Sequence, residues 1–127
     1  MKIKKKTLKL SLVSISILVI LIGSVYYLTS QEDPEIRELA QCLTDKSVTM
    51  YGAYWCGHCI DQKNLFGNSF KYVDYIECDE RGDNSQPERC QIEGITGYPT
   101  WKINGQTISG VISLNELSAM VNCDYGI

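Results

Sequence analysis

Residues 50–59 read MYGAYWCGHC, and the rest of the chain is best read outward from them. The first half ends a run, Val48 to Tyr54, rich in β-branched and aromatic residues, which predicts a strand. The second half sets Cys56 and Cys59 around Gly57-His58. From Cys56 to about Phe66 the pattern predicts a helix, ended by Gly67-Asn68. A cysteine in the first turn of a helix faces unpaired backbone N–H groups and the positive end of the dipole, both of which favour thiolate over thiol. His58, the only histidine in the chain, can add positive charge or a donor beside the same sulfur. Cys56 is then the attacking nucleophile at neutral pH and also a good leaving group. Cys59, one helical turn along, is near enough to close a disulfide or to resolve a mixed disulfide on Cys56.

Two plainer readings of this pair are weaker. A zinc ribbon needs a second close pair, yet Cys78 and Cys90 are separated by eleven residues and the histidine lies inside the first pair. A purely structural 56–59 bridge would close almost no loop and gain little entropy. Redox chemistry carried by the two sulfurs, with no metal and no cofactor, is the reading that remains.

Upstream, Asp33-Pro34 starts a helix, with a capping carboxylate before a proline at the first helical position. Ile36, Leu39, Ala40 and Leu43 give that helix one apolar face. Downstream, Tyr72 to Cys78 predicts a second strand, Asp79 to Pro87 a polar loop, and Pro87 to Ile92 a short helix. Thr100 to Ile103 and Thr107 to Val111 flank Asn104-Gly105, a hairpin signal because both turn residues tolerate positive φ. Ser113 and Glu116 form a capping box that opens a last helix, with Leu114, Leu117 and Val121 inward. This order implies an α/β domain over residues 34–127, a small central mixed sheet flanked by helices.

Composition narrows the partners. From Gln31 onward the chain carries seven basic and fifteen acidic side chains, a formal charge of −8 that would repel a phosphate backbone. Six cysteines in so small a domain suggest an oxidising compartment. Cys78 and Cys90 read best as a structural bridge across the polar loop, contributing about 3 kcal/mol; a second redox pair exchanging with Cys56/Cys59 is the alternative. Cys42 and Cys123 are left over near the ends of the first and last domain helices. Elimination pairs them, but spacing does not show that their Cα atoms come within bonding range.

The N-terminal third differs. Lys2, Lys4, Lys5, Lys6 and Lys9 precede Leu10 to Leu28, which carries no charge. Nineteen residues at about 1.5 Å each reach roughly 28 Å, close to the hydrocarbon thickness of a bilayer. The expectation is a basic cytoplasmic tail over 1–9, a transmembrane signal-anchor helix over 10–29 with Tyr26 and Tyr27 at its outer interface, and a linker over 30–33. The domain would then lie outside the cytoplasm, in a periplasm, a lumen or the cell exterior. A cleaved secretory signal with Ser30 as a poor cleavage position is the competing reading, and it exports the domain equally.

MYGAYWCGHC, followed further on by GYPT at 97–100, resembles the thioredoxin superfamily. MYGAYWCGHCIDQKNLFG, YIECDE, QPERCQIEGITGYPTWKINGQ and the following GVISLNEL are similar to the thioredoxin-like domain fused to bacterial and plant vitamin K epoxide reductase homologues, over approximately Ile36 to Val121. The resemblance implies a thioredoxin-like fold in which Pro99 is a cis-proline facing the CxxC. That would turn the Tyr98 backbone toward the site, where it can pair with an extended substrate segment. It also implies an apolar collar of Trp55 and Tyr98 around Cys56.

One departure stands out. Many relatives carry a buried carboxylate six residues before the first cysteine, thought to help deprotonate the second; here that position is Met50. The Gly-His dipeptide matches the disulfide-isomerase type, near roughly −180 mV, rather than the thioredoxin type near roughly −270 mV. The implied activity is therefore a membrane-tethered thiol–disulfide oxidoreductase that gives disulfides to exported proteins. Its expected re-oxidant is a quinone-linked membrane enzyme of the vitamin K epoxide reductase type. An extracytoplasmic reductase of the cytochrome c maturation kind and a non-catalytic client-binding module are the alternatives.

Overall fold

The computed structural model describes residues 2–29 and 32–126, with side chains for 12–28 and 32–126. The chain divides into two compact units, Met1–Gln31 and Glu32–Ile127. The first is a single helix, α1, over Lys2–Thr29.

One expectation for this unit changes. α1 takes in residues 2–9, the segment expected as the basic cytoplasmic tail. Among the described residues, no helix is long and apolar enough to cross a membrane. The lysine side chains and Ser30 lie outside the described residues.

The second unit carries α2 (Pro34–Asp45), β1 (Thr49–Gly52), α3 (Gly57–Phe66), β2 (Asp74–Glu77), α4 (Pro87–Ile92), β3 (Thr100–Ile103), β4 (Gln106–Ser109) and α5 (Leu114–Val121). The four strands form one sheet in the order β2-β1-β3-β4. β1 runs parallel to β2 and antiparallel to β3, and β3 pairs antiparallel with β4. This mixed sheet flanked by helices is consistent with the thioredoxin-like expectation.

Local chemistry explains the elements. The Asp33 carboxylate accepts from the backbone N–H groups of Glu35 and Ile36 and caps α2, while Ser113 accepts from Glu116 N and caps α5. Asn104 and Gly105 take φ of 51° and 80°, as the two-residue hairpin turn requires. β1 and the edge strand β2 come out shorter than expected. The chain leaves β1 after Gly52, and Cys56 N donates to Ala53 O across a turn at 3.0 Å. Ahead of β2, residues Gly67–Tyr72 form a 3-10 helix. Phe70 in that turn packs edge-on against Phe66 at 6.1 Å, so aromatic contact holds it off the sheet.

Every residue of β1 is buried, and alternation sends its side chains to two faces. Val48 and Met50 join Leu39, Ala40, Leu43, Cys59, Phe66, Trp101, Leu117 and Val121 in the main core. Tyr51 joins Ile76 and the Cys78–Cys90 bridge in a smaller cluster on the other face. Each of the fully buried leucines contributes about 1.5–3 kcal/mol. Gln62, buried in α3, ties that helix to the segment before α5. Its amide nitrogen donates to Ile112 O at 3.0 Å, and its carbonyl oxygen accepts from Ile112 N at 2.7 Å and Trp101 Nε1 at 3.3 Å. Both leftover cysteine pairs are joined. Cys42 and Cys123 have Cα atoms 6.1 Å apart, and Cys78 and Cys90 5.8 Å.

Candidate active site

Cys56 occupies the N-cap of α3 and the helix proper begins at Gly57, one residue later than expected. The residue has extended backbone and no side-chain capping bond, so its sulfur is left to the cleft. Both Cys56 and Cys59 are free thiols. Cys56 is 8% exposed, whereas Cys59 behind it is fully enclosed. Of the two, only Cys56 keeps any surface through which to meet another protein.

Opposite Cys56, the Tyr98–Pro99 bond is cis, and the Cys56 thiol donates to the Tyr98 carbonyl at 3.6 Å. Pro99 is buried. Trp55 and Tyr98 meet edge to face with centroids 6.3 Å apart and planes at 81°. Trp55 is exposed rather than packed in the core, as are its neighbours Tyr54 and Ile60. Trp55 Nε1 donates to Asp79 Oδ2 at 2.6 Å, and Arg81 holds the same carboxylate through its guanidinium and backbone N–H. These contacts, Arg81 first, hold the Asp79 carboxyl well below the usual carboxylate range. Trp55, Tyr98, Asp79, Arg81 and Pro87 border a hollow of about 450 Å³, which Cys78 lines as well.

His58 is the exception among the expected site residues. Its side chain is 78% exposed, and its Nδ1 lies 3.7 Å from Asp61 Oδ2, one turn along α3. The structure thus brings Cys56, Cys59, Trp55, Tyr98 and Pro99 together and turns His58 toward solvent and a carboxylate. Cys78 and Cys90 lie nearby but are closed as a bridge. Among the described residues, no group of three or more His, Cys, Asp or Glu is placed to hold a metal ion.

Sequence reasoning missed the surroundings of Cys59. Burial pushes its thiol up to about 12, the Ala53 backbone and Lys63 pull the other way, and Cys56 adds to the rise. Gly52 faces it; a Cβ there would lie 2.9 Å from Cys59 Sγ and 3.2 Å from the Tyr75 hydroxyl oxygen. Tyr75 donates to Glu77 Oε2 at 2.7 Å, and Lys63 Nζ sits 3.8 Å from the centre of the Tyr75 ring. Glu77 is buried, and its other oxygen accepts from Asp79 N at 3.0 Å. Burial, then Glu77 and the two thiols, raise the Tyr75 hydroxyl above its ordinary range. The available signal was the spacing of Tyr75 and Glu77, two residues apart on a strand and therefore on one face.

Comparison with known proteins finds likenesses over part of the chain. No protein-family model matches. Oxidized glutaredoxin 2 from Chlamydomonas reinhardtii aligns at 24% identity over 69% of this chain and 82% of that one, with a TM-score of 0.35. The thiol-disulfide oxidoreductase LTO1 of Arabidopsis thaliana is 38% identical over 97 residues, 73% of this chain. The chain spans about a quarter of that relative's length, so the likeness covers one portion of a larger protein.

Proposed function

We propose that this chain is a thiol–disulfide oxidoreductase whose CGHC motif, Cys56 to Cys59, exchanges disulfides with protein thiols. The arrangement of the two sulfurs carries the reading: Cys56 stands at a helix N-terminus facing a cis-proline loop, with Cys59 sealed behind it. The likeness to thiol-disulfide oxidoreductase LTO1 supports it. In the donor direction a substrate thiolate attacks Cys56 of the Cys56–Cys59 disulfide, and Cys59 leaves with the electron pair. A second substrate thiol then attacks the substrate sulfur of the mixed disulfide, releasing oxidised substrate and Cys56 thiolate. Both electrons stay on Cys56/Cys59. The exposed Trp55, Tyr54 and Ile60 offer the incoming chain an apolar contact, and Tyr98 a backbone edge.

The working direction is disulfide donation outside the cytoplasm, with the domain tethered through α1. Support for the tether is an apolar surface all round that helix, Leu12 to Leu28 being exposed on every side, behind five lysines. Re-oxidation falls to a quinone-linked membrane enzyme of the vitamin K epoxide reductase type, the kind of partner that the resemblance implies.

Alkylation trapping of the cellular redox state tests the direction. A donor is found with Cys56/Cys59 mostly oxidised; a steady state almost wholly reduced would reverse the assignment. Purified full-length chain should reduce insulin with dithiothreitol, and Cys56→Ser should not. Release of the chain from membranes by alkaline carbonate would remove the tether.

A further inference from the structure

A thiol that ionises only near about 12 neither attacks nor leaves readily at neutral pH, yet the exchange above needs Cys59 to do one or the other. The strand register shows what stands across Gly52 from it. Met50 pairs with Tyr75 and Gly52 with Glu77 across the parallel β1–β2 pair, so Tyr75 and Glu77 share the sheet face that Met50 and Gly52 present to α3. The carboxylate absent at position 50 has a counterpart one strand over. Because Gly52 has no side chain, nothing from β1 separates the Cys59 sulfur from the Tyr75 hydroxyl. That hydroxyl donates to Glu77, leaving its oxygen lone pairs for a donor on the cysteine side.

We propose that Tyr75 and Glu77 form a proton relay for Cys59, with Tyr75 the group that exchanges with the thiol and Glu77 a positioning residue acting through it. The inference rests on the thiol–disulfide reading. When Cys59 resolves a mixed disulfide, its S–H bond breaks and the proton passes to the Tyr75 oxygen, directly or through one water. The Tyr75 proton moves to Glu77 Oε2. The Cys59 thiolate then attacks Cys56, the Cys56–Cys59 bond forms, and the electron pair of the broken bond departs on the substrate sulfur. In the donor direction every step reverses, and Glu77 returns the proton to the departing Cys59.

The charged and titratable groups around Cys59 are Cys56 and Lys63 from α3, Tyr75 and Glu77 from β2, and Tyr98 from the cis-proline loop. Lys63, over the Tyr75 ring, favours negative charge there. Gly82 lies against the Glu77 side chain: a Cβ on it would lie 2.4 Å from Glu77 Cγ, so a larger residue there would displace the carboxylate.

The test measures two half-reactions of the full-length chain in detergent micelles, using a glutathione-tagged fluorescent peptide disulfide. Mixed-disulfide formation on Cys56 is read with Cys59→Ser, and its resolution by Cys59 is read in single turnovers from pH 6 to 10. Tyr75→Phe and Glu77→Gln should form the mixed disulfide at the normal rate and resolve it about tenfold or more slowly at pH 7. That lies below the 10²–10⁴-fold range of general acid–base catalysis because water competes. Their rates should climb toward wild type with rising pH, and Glu77→Asp should recover part of the loss. Unchanged resolution and an unchanged pH profile in both variants would overturn the relay while leaving the exchange reading intact. Failure of wild-type Cys56 to form any mixed disulfide would overturn both.

Discussion

Cys56 and Cys59 are three residues apart on one helix and remain thiols, whereas Cys42 and Cys123 are 81 apart in sequence and are joined. The same side chain serves as carrier in one place and strut in the other. Closing a loop of that span removes about 4.5 kcal/mol of unfolded-chain entropy, and closing three residues removes only about 1.6 kcal/mol. The short pair can thus open and close without the fold depending on it. Burial does not divide them, since Cys56 and Cys123 are each 8% exposed and both belong to the main core; the difference is that Cys56 stands at the start of α3, facing the Tyr98 carbonyl.

The sharpest break of this comparison is Cys56→Ser, which should cut insulin reduction on the order of 10³-fold or more with the denaturant midpoint unchanged. Retained activity would make the pair dispensable. Next, the double change Cys42→Ser with Cys123→Ser should lower stability by about 4 kcal/mol, against about 3 kcal/mol for the shorter Cys78–Cys90 bridge, with exchange rates unaltered at low temperature. Equal losses from the two would show that span does not set the value of each strut. Gln62→Leu should cost about 2 kcal/mol, because Ile112 N, Ile112 O and Trp101 Nε1 lose buried partners; a neutral result in urea unfolding would mean that water replaces the amide.

The smallest effect concerns pH. Burial raises Cys59 in the fold to about 12, above its ordinary value of 9.0. The unfolded chain therefore loses that proton first, and the stabilisation is complete below pH 9 and fades as pH climbs toward about 12. Urea midpoints of the reduced form should fall over that window relative to the Cys56–Cys59 disulfide form, which has no thiol to ionise. Parallel curves would show that Cys59 is not the cause.

Much of the fold was legible in short-range chemistry. The Asp33 and Ser113 caps, the Asn104-Gly105 turn, the Pro87 helix and the cysteine-led helix all rest on interactions spanning a few residues. At the site, the motif residues Cys56, Cys59, Trp55, Tyr98 and Pro99 stand together. The motif did not show that His58 is exposed with Asp61 at i+3 as its neighbour, because that contact depends on helix spacing beyond the motif. The end of β1 was misjudged because the chain turns between Ala53 and Cys56, and the start of β2 because the segment before it, with Phe70 against Phe66, forms a helical turn through Tyr72.

By itself the sequence determined which residues cap, turn and alternate, and which two sulfurs sit at a helix start, since each follows from backbone geometry over one turn or one strand. Only the tertiary structure decided that Cys42 meets Cys123, that Gln62 reaches Ile112, and that Gly52 opens Cys59 toward Tyr75 and Glu77. Those neighbours are set by strand register and helix packing, which depend on how distant apolar faces fit together rather than on any local preference.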